Sequence, residues 1–316
     1  MAISIGIDST TQNWKTCLME NGAILELCSF ADAAALLAYV EHICALYPEP
    51  TVAVPYSDRS LIEALHNALK SINLNSYCLP QIKELPTIPA YRKLNRLQMG
   101  AAGQLCTVAM LIYRLFERET AWSEMNFLLL EVQQDSVSIQ VVEDGQIVNG
   151  LSGMADVSEI RLHLRLDGNF SYSFGSDHRE STYRSDWLNP VDASKHELVN
   201  GHARKYAFWE GLAQELAGLM AIHHCEDIVV LGQRKEAVIE WFDDIYQLYH
   251  FPYKDSDRPG FEAATGAAIV AEGLAHNGLA AEVVERLQIR GAISSSDVNA
   301  PTRLQTPAQY QQLPGR

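Results

Sequence analysis

Ile3-Ser4-Ile5-Gly6-Ile7-Asp8-Ser9-Thr10-Thr11 alternates branched apolar residues with small ones, then stops abruptly at an acid and three hydroxyl residues. The alternation predicts a buried strand and the polar cluster predicts a tight turn behind it. A similar run follows over 14–20, then Asn21-Gly22, then a third run over 23–30. Asn-Gly between two strand-like runs is a strong hairpin signal, because both central residues of the turn take positive φ. The chain therefore opens as a three-strand meander whose first turn carries the polar groups. A strand that delivers an acid and hydroxyls into a turn is suited to meet a phosphate or its metal.

The elements that follow are predicted from periodicity. Asp32 caps a helix over 33–46, stopped by Pro48 and Pro50, and 51–54 is a short buried strand. Ser57 and Asp58 are capping candidates for a helix over 61–72, and 76–79 is a fifth strand. Three prolines in and just before it, Pro80, Pro86 and Pro89, make 81–91 an ordered loop, and apolar spacing predicts one long helix over 94–118. Then the order begins again. Residues 126–132 form a buried strand ending in an acid, 135–142 alternate, Asp144-Gly145 turns, and 146–148 return. A helix over 202–223, a strand over 227–231, a helix over 235–248, a strand over 249–253 and a helix over 261–275 complete the second series. Two series of the same events, half a chain apart, indicate an internal duplication. The expected domains are 1–123, 124–293 with a polar insertion at about 151–200, and a flexible tail over 294–316.

With 316 residues, 47% hydrophobic and 20% charged, the chain can bury a full core. Its 24 basic and 39 acidic residues give a net charge of −15, which argues against an ordinary nucleic-acid surface. The six cysteines lie mostly in apolar runs with no Cys-x-x-Cys pair, as expected of buried reduced thiols. No charged-then-apolar leader and no apolar run near ~18 residues is present, so the expectation is a cytoplasmic protein without membrane contact.

The doubled order resembles the superfamily of actin, Hsp70, sugar kinases and acetate kinase. Pro86 to Ala102, Asp144 to Gly153 and Ala263 to Leu274 are similar to segments of a prokaryotic family called predicted butyrate kinases. The resemblance implies an α/β fold of two tandem ribonuclease-H-like (actin-like ATPase) domains, each a five-stranded mixed sheet flanked by helices. It also implies ATP with Mg²⁺ in the cleft between them, and phosphoryl transfer to a small anionic substrate such as a short-chain carboxylate, or to a sugar.

Carried onto this chain, the resemblance makes Asp8 and Glu131 the metal-organising acids and Ser9, Thr10 and Thr11 the holders of terminal phosphates. Gln133, Gly232, Gln233 and Arg234 fall where the nucleotide's other contacts would lie. Arg92, Asn95 and Arg96 are candidates for an anionic acceptor, since guanidinium groups suit carboxylate and phosphate. Asp58 is the candidate base. The glycines usual in such turns are thinned out: Ser9 follows Asp8, and Gln133-Gln134-Asp135 follows Glu131. Three readings therefore stand: a kinase with degraded phosphate loops, a catalytically degenerate member that binds or scaffolds, and a partner protein resembling the inactive subunits of tRNA-modification complexes in this superfamily. Each accommodates a homodimer or a protein partner.

Overall fold

The computed structural model describes residues 3–9, 13–55, 65, 68–69, 74–94, 96, 98–133, 136–154 and 201–292. Strands β1 (Ile3–Ser9), β2 (Trp14–Glu20) and β3 (Ala23–Phe30) form the opening meander. Its second turn has Asn21 at φ 48° and Gly22 at φ 80°, as the Asn-Gly signal requires. Helix α1 (Ala33–Leu46) starts where Asp32 Oδ1 accepts the Ala35 N–H at 2.8 Å. Strands β4 (Thr51–Pro55) and β5 (Asn75–Leu79) then run parallel to β1, giving a sheet ordered β3-β2-β1-β4-β5.

The helix predicted over 94–118 begins only at Ala102, as α3 (Ala102–Phe116), and a short helix not expected from the sequence, α2 (Ala90–Leu94), precedes it. Gly100 separates them at φ 128°, donating no helical continuity while its carbonyl accepts the Ile82 N–H at 3.1 Å. Residues 82–84, inside the expected loop, form a single 3₁₀ turn.

The second half repeats the first. Strands β6 (Phe127–Val132), β7 (Ser136–Glu143) and β8 (Gln146–Met154) form a meander whose turn has Asp144 at φ 49° and Gly145 at φ 71°. Strand β8 reaches further than the alternation predicted. Helix α4 (Gly201–His223), β9 (Asp227–Leu231), α5 (Lys235–Phe242) and β10 (Gln247–His250) follow. The sheet order β10-β9-β6-β7-β8 is that of the first sheet, with β6 in the place of β1. This is the ribonuclease-H-like strand arrangement twice over, two five-stranded mixed sheets flanked by helices. Helix α5 ends earlier than expected: past Phe242 the Ile245 amide tightens to a three-residue step, donating to the Phe242 carbonyl at 2.9 Å. That frees Gln247 to open a strand beside Asp227.

Side-chain parity decides what each sheet face meets. Ile3, Ile5 and Ile7 of β1 pack outward with Leu36, Val40 and Ile43 of α1. Ser4, Gly6 and Asp8 therefore face the other way. In β6, Leu128, Leu130 and Val132 pack outward with Phe208, Trp209 and Leu212 of α4, leaving Leu129 and Glu131 on the inner face. The largest core cluster lies between the inner faces and is built from α3 and from α6 (Glu262–Ala275). Helix α6 belongs to the second half but lies on β1, β2 and β4 of the first, and it crosses α3.

Two glycines permit that layer. A Cβ on Gly6 would come 1.9 Å from the Ala264 carbonyl oxygen, and one on Gly266 would come 1.8 Å from that of Cys106. Helices α7 (Leu279–Arg286) and α8 (Ile289–Ala292), unforeseen from the sequence, cap the arrangement. Arg290 of α8 donates to the carbonyls of Leu274 (3.0 Å) and Gly273 (2.7 Å), closing the C-terminal end of α6.

All six cysteines are free; Cys17, Cys106 and Cys225 are buried as the apolar contexts predicted, whereas Cys28, Cys44 and Cys78 are only partly buried. No described helix is long and apolar enough to cross a membrane.

Candidate functional site

Asp8 is the penultimate residue of β1 and Glu131 that of β6, and both lie on inner faces at the same end of their sheets. Each is an equivalent of the other in the duplication. Burial pushes the Asp8 carboxyl up to about 6; Lys15 and the Ser9 amide pull it back, while Glu262 pushes it further. Glu131 is likewise raised, first by burial; hydrogen bonds from Gln133 and Gln104 oppose this, and the charges of Glu262 and Asp8 add to it. The charge of Asp8 therefore reaches Glu131, and that of Glu262 reaches both strand-end acids. Helix α3 begins beside them: a Cβ on Gly103 would sit 3.7 Å from Asp8 Oδ1.

Three of these groups were not singled out from the sequence. Lys15 pairs with Asp8 across the β1–β2 ladder, and its Nζ donates to the Gly260 carbonyl and lies 5.4 Å from the Phe261 ring. It is the one charge within the otherwise uncharged run 14–19, a signal available in the sequence. Glu262 opens α6, where it accepts hydrogen bonds from the Tyr253 hydroxyl and, at 2.8 Å, from the Gly260 N–H. A single acid ahead of a long Ala/Gly run was its signal. Gln104 accepts the Ala101 N–H at 2.8 Å through Oε1, leaving its amide nitrogen for Glu131. Nothing local distinguishes it.

The duplication is not symmetric at this point. The rung Asp8–Lys15 in the first half corresponds to Glu131–Ser138 in the second. The second acid has lost a basic neighbour, and the Ser138 hydroxyl, 3% exposed, meets no partner among the described residues. Two glutamine amides take the place of the missing cation at Glu131. Gln133 Nε2 donates to Glu131 Oε1 at 2.7 Å, and Gln133 Oε1 accepts the Gln233 N–H at 3.3 Å. One side chain thus ties the second turn to the third.

Gly232 has φ 103° and a Cβ there would meet the Val132 carbonyl oxygen at 2.4 Å. Its glycine is required by that chain crossing. The Arg234 N–H donates to the same carbonyl at 2.9 Å. Gln133, Gly232, Gln233 and Arg234 are therefore one connected turn, next to Glu131.

The arginines expected to hold an anion are engaged elsewhere. Arg92 Nη1 donates to the Val148 carbonyl at 2.8 Å, and Arg96 pairs with Glu215 at 3.1 Å. The ladder register puts Glu131 level with Ser138, and Ser138 level with Ser152. Val148 lies four residues further along β8, roughly 13 Å from that level at the usual rise per residue. Ser9 is described beside Asp8; Thr10, Thr11, Asp58 and Asn95 lie outside the described residues.

Among the described residues, no group of three or more His, Cys, Asp or Glu side chains is arranged to hold a metal ion. Asp8 and Glu131 nevertheless fit a hard cation in another sense. Both carboxyls are desolvated and raised, and a divalent ion held by one or two carboxylates with water completing its shell would relieve that cost.

Residues 49–296 match the family model described as "Protein of unknown function (DUF1464)". That is well over half of the chain. The chain belongs to the DUF1464 family. No curated protein matches this DUF1464 chain. Solved structures similar to it include the ROK hexokinase from Thermus thermophilus, with TM-score 0.44 and 12% identity over 87% of this chain and 100% of that one. The inorganic polyphosphate/ATP-glucomannokinase from Arthrobacter sp. strain KM gives 0.44 and 15%, over 87% and 100%. The acetate kinase from Entamoeba histolytica gives 0.44 and 10%, over 77% and 85%. At such scores and identities these likenesses carry no functional weight.

Proposed function

We propose that this chain is an ATP-dependent phosphotransferase-like protein that takes Mg-ATP between its two halves. The observation that supports the reading is the convergence of Asp8 and Glu131, equivalent strand-end acids from the two copies, both raised by burial, with the charge of Asp8 acting on Glu131 and that of Glu262 on both. Bound Mg-ATP supplies the transferable phosphoryl group and the charge that stabilises its transfer. This chain's own part is positioning. Asp8 and Glu131 would hold the metal, and Ser9, with Thr10 and Thr11, would hold terminal phosphates. Lys15, across the ladder from Asp8, adds a cation to the first turn. Gln233 and Arg234 would line the nucleotide.

The similarity of 86–102, 144–153 and 263–274 to predicted butyrate kinases favours a short-chain carboxylate as acceptor. Arg92 and Arg96 would then exchange Val148 and Glu215 for that acid, and Asp58 would serve as base. Calorimetric titration with Mg-ATP tests the first step: saturable binding is expected, and its loss in Asp8→Ala. No binding by the wild type at millimolar nucleotide would sink the reading. Tight binding without phosphoryl transfer to short-chain acids or sugars would remove the kinase and leave the binding protein.

A second reading, a degenerate member used for binding or scaffolding, is favoured by one contact. Gln133 occupies both Glu131 and the Gln233 N–H, groups that a metal and a phosphate would otherwise use. On the phosphotransferase reading this contact competes with the nucleotide, so Gln133→Gly is expected to tighten Mg-ATP binding about tenfold, the worth of one hydrogen bond of ordinary strength. An unchanged or weaker affinity would favour the scaffold.

A further inference from the structure

His223, the last residue of α4, is buried at the inner end of an Asn–His–Glu row on the second sheet, away from the strand-end acids. Its Nδ1 lies 2.7 Å from Glu143 Oε1 on β7, and its Nε2 lies 3.0 Å from Asn149 Nδ2 on β8. The orientation of the Asn149 amide is fixed independently, because Asn149 Oδ1 accepts the backbone N–H of Gly150 at 2.9 Å. The amide nitrogen must therefore face the ring and donate to Nε2. The ring is neutral, with its proton on Nδ1 and directed at Glu143.

A second proton on Nε2 would set donor against donor. Relief requires the Asn149 amide to turn, which releases the Gly150 N–H. That stretch of β8 is where the segment linking α2 to α3 grips the second sheet. Arg92 donates to the Val148 carbonyl, and the Ser152 N–H donates to the Gln98 carbonyl at 3.4 Å. Between them, Gly150 lies so close to Met99 that a Cβ would come 2.1 Å from its carbonyl oxygen. No slack exists there for a displaced strand.

We propose that His223 is a proton-operated latch: neutral, it locks β8 against the 98–100 segment of the first half, and protonated, it releases that seam. The groups facing it are Glu143 from β7, Arg92 from α2, and His224 and Cys225 from its own segment. Burial lowers its proton affinity most; Glu143 works against this, while Arg92 and His224 reinforce it. Glu143 keeps its side chain 35% exposed, which gives the proton a way in.

Imidazole and amide NMR of the full chain across the acid range tests this. At neutral pH the ring should show the Nδ1–H tautomer. Below the ordinary histidine range, protection of the Gly150 amide, corrected for intrinsic exchange, should fall by up to about tenfold per pH unit until His223 is protonated, then level off. In His223→Gln the slope should vanish. Should that variant not fold, Asn149→Asp serves instead: its carboxylate accepts from Nε2–H, so the midpoint should move up and the slope disappear. An Nε2–H tautomer at neutral pH, flat Gly150 protection through the titration, or a slope that persists in a folded variant would overturn the latch.

Discussion

Asp8→Asn is expected to stabilise the protein at pH 8 by on the order of 3 kcal/mol while removing its site. The folded carboxyl sits at about 6 against an ordinary 3.8, so the folded state holds its proton more tightly than the unfolded chain does. Stability contributed by this group is therefore fully present below pH 3.8, falls as pH rises through the window from 3.8 to about 6, and is gone above it. The gap of about two units corresponds to the figure given. Denaturant unfolding of wild type and variant at pH 8 and near pH 3 measures it: the two curves should separate at pH 8 and converge at the acid end. Equal or lower stability of Asp8→Asn at pH 8 would show that the buried charge is not held at a cost. A residue whose removal strengthens the fold is retained for what it does, which is the stability–function trade-off expected of a working acid.

Arg114→Ala is expected to lose about 3–5 kcal/mol. Arg114, on α3, is 2% exposed and grips Asp257 through Nε at 3.1 Å and Nη2 at 2.5 Å, with Glu117 on Nη1 at 2.8 Å. Removal strands the Asp257 carboxylate, whose side chain is fully buried. The damage should extend beyond α3. The stretch 251–261 that Asp257 anchors also carries Tyr253 and Gly260, which hold Glu262, and Gly260 receives Lys15. The double variant Arg114→Met/Asp257→Leu should recover much of the loss, because two apolar side chains remove the stranded charge. Guanidinium unfolding of single and double variants decides it; a single variant as stable as wild type would show that the pair contributes nothing.

The parts of the fold set by local chemistry were legible. Asn21-Gly22 and Asp144-Gly145 announced hairpins because the backbone itself demands positive φ there, and both adopt it. Asp32 announced α1 because a cap needs only its own neighbours. Where contacts are distant, the residues were silent. Periodicity carried one helix across 94–118, since nothing nearby records that Gly100 must turn against Ile82, eighteen positions earlier. Phe242 ends α5 for the sake of pairing with β9, which no helical pattern contains. The site divides the same way. Asp8 and Glu131 stood out as acids at strand ends, whereas Glu262 and Gln104 arrive through helix packing from far along the chain. Arg92 and Arg96 looked free for an anion because their partners, Val148 and Glu215, lie in the other half.

The placement of α6 bears on how this protein is made. Its helix spans 262–275, yet it covers the inner face of a sheet whose strands begin at residue 3. During synthesis the first sheet emerges with Ala53, Cys17 and Met19 on its inner apolar face, and α6, which covers β1, β2 and β4 there, is made only about two hundred residues later. The duplication is therefore not a pair of independently folding units. The first copy closes only once residue 275 has been made, and a fragment cut between the halves lacks the helix that covers β1, β2 and β4. A sequence that doubled itself has become, by trading one helix, indivisible.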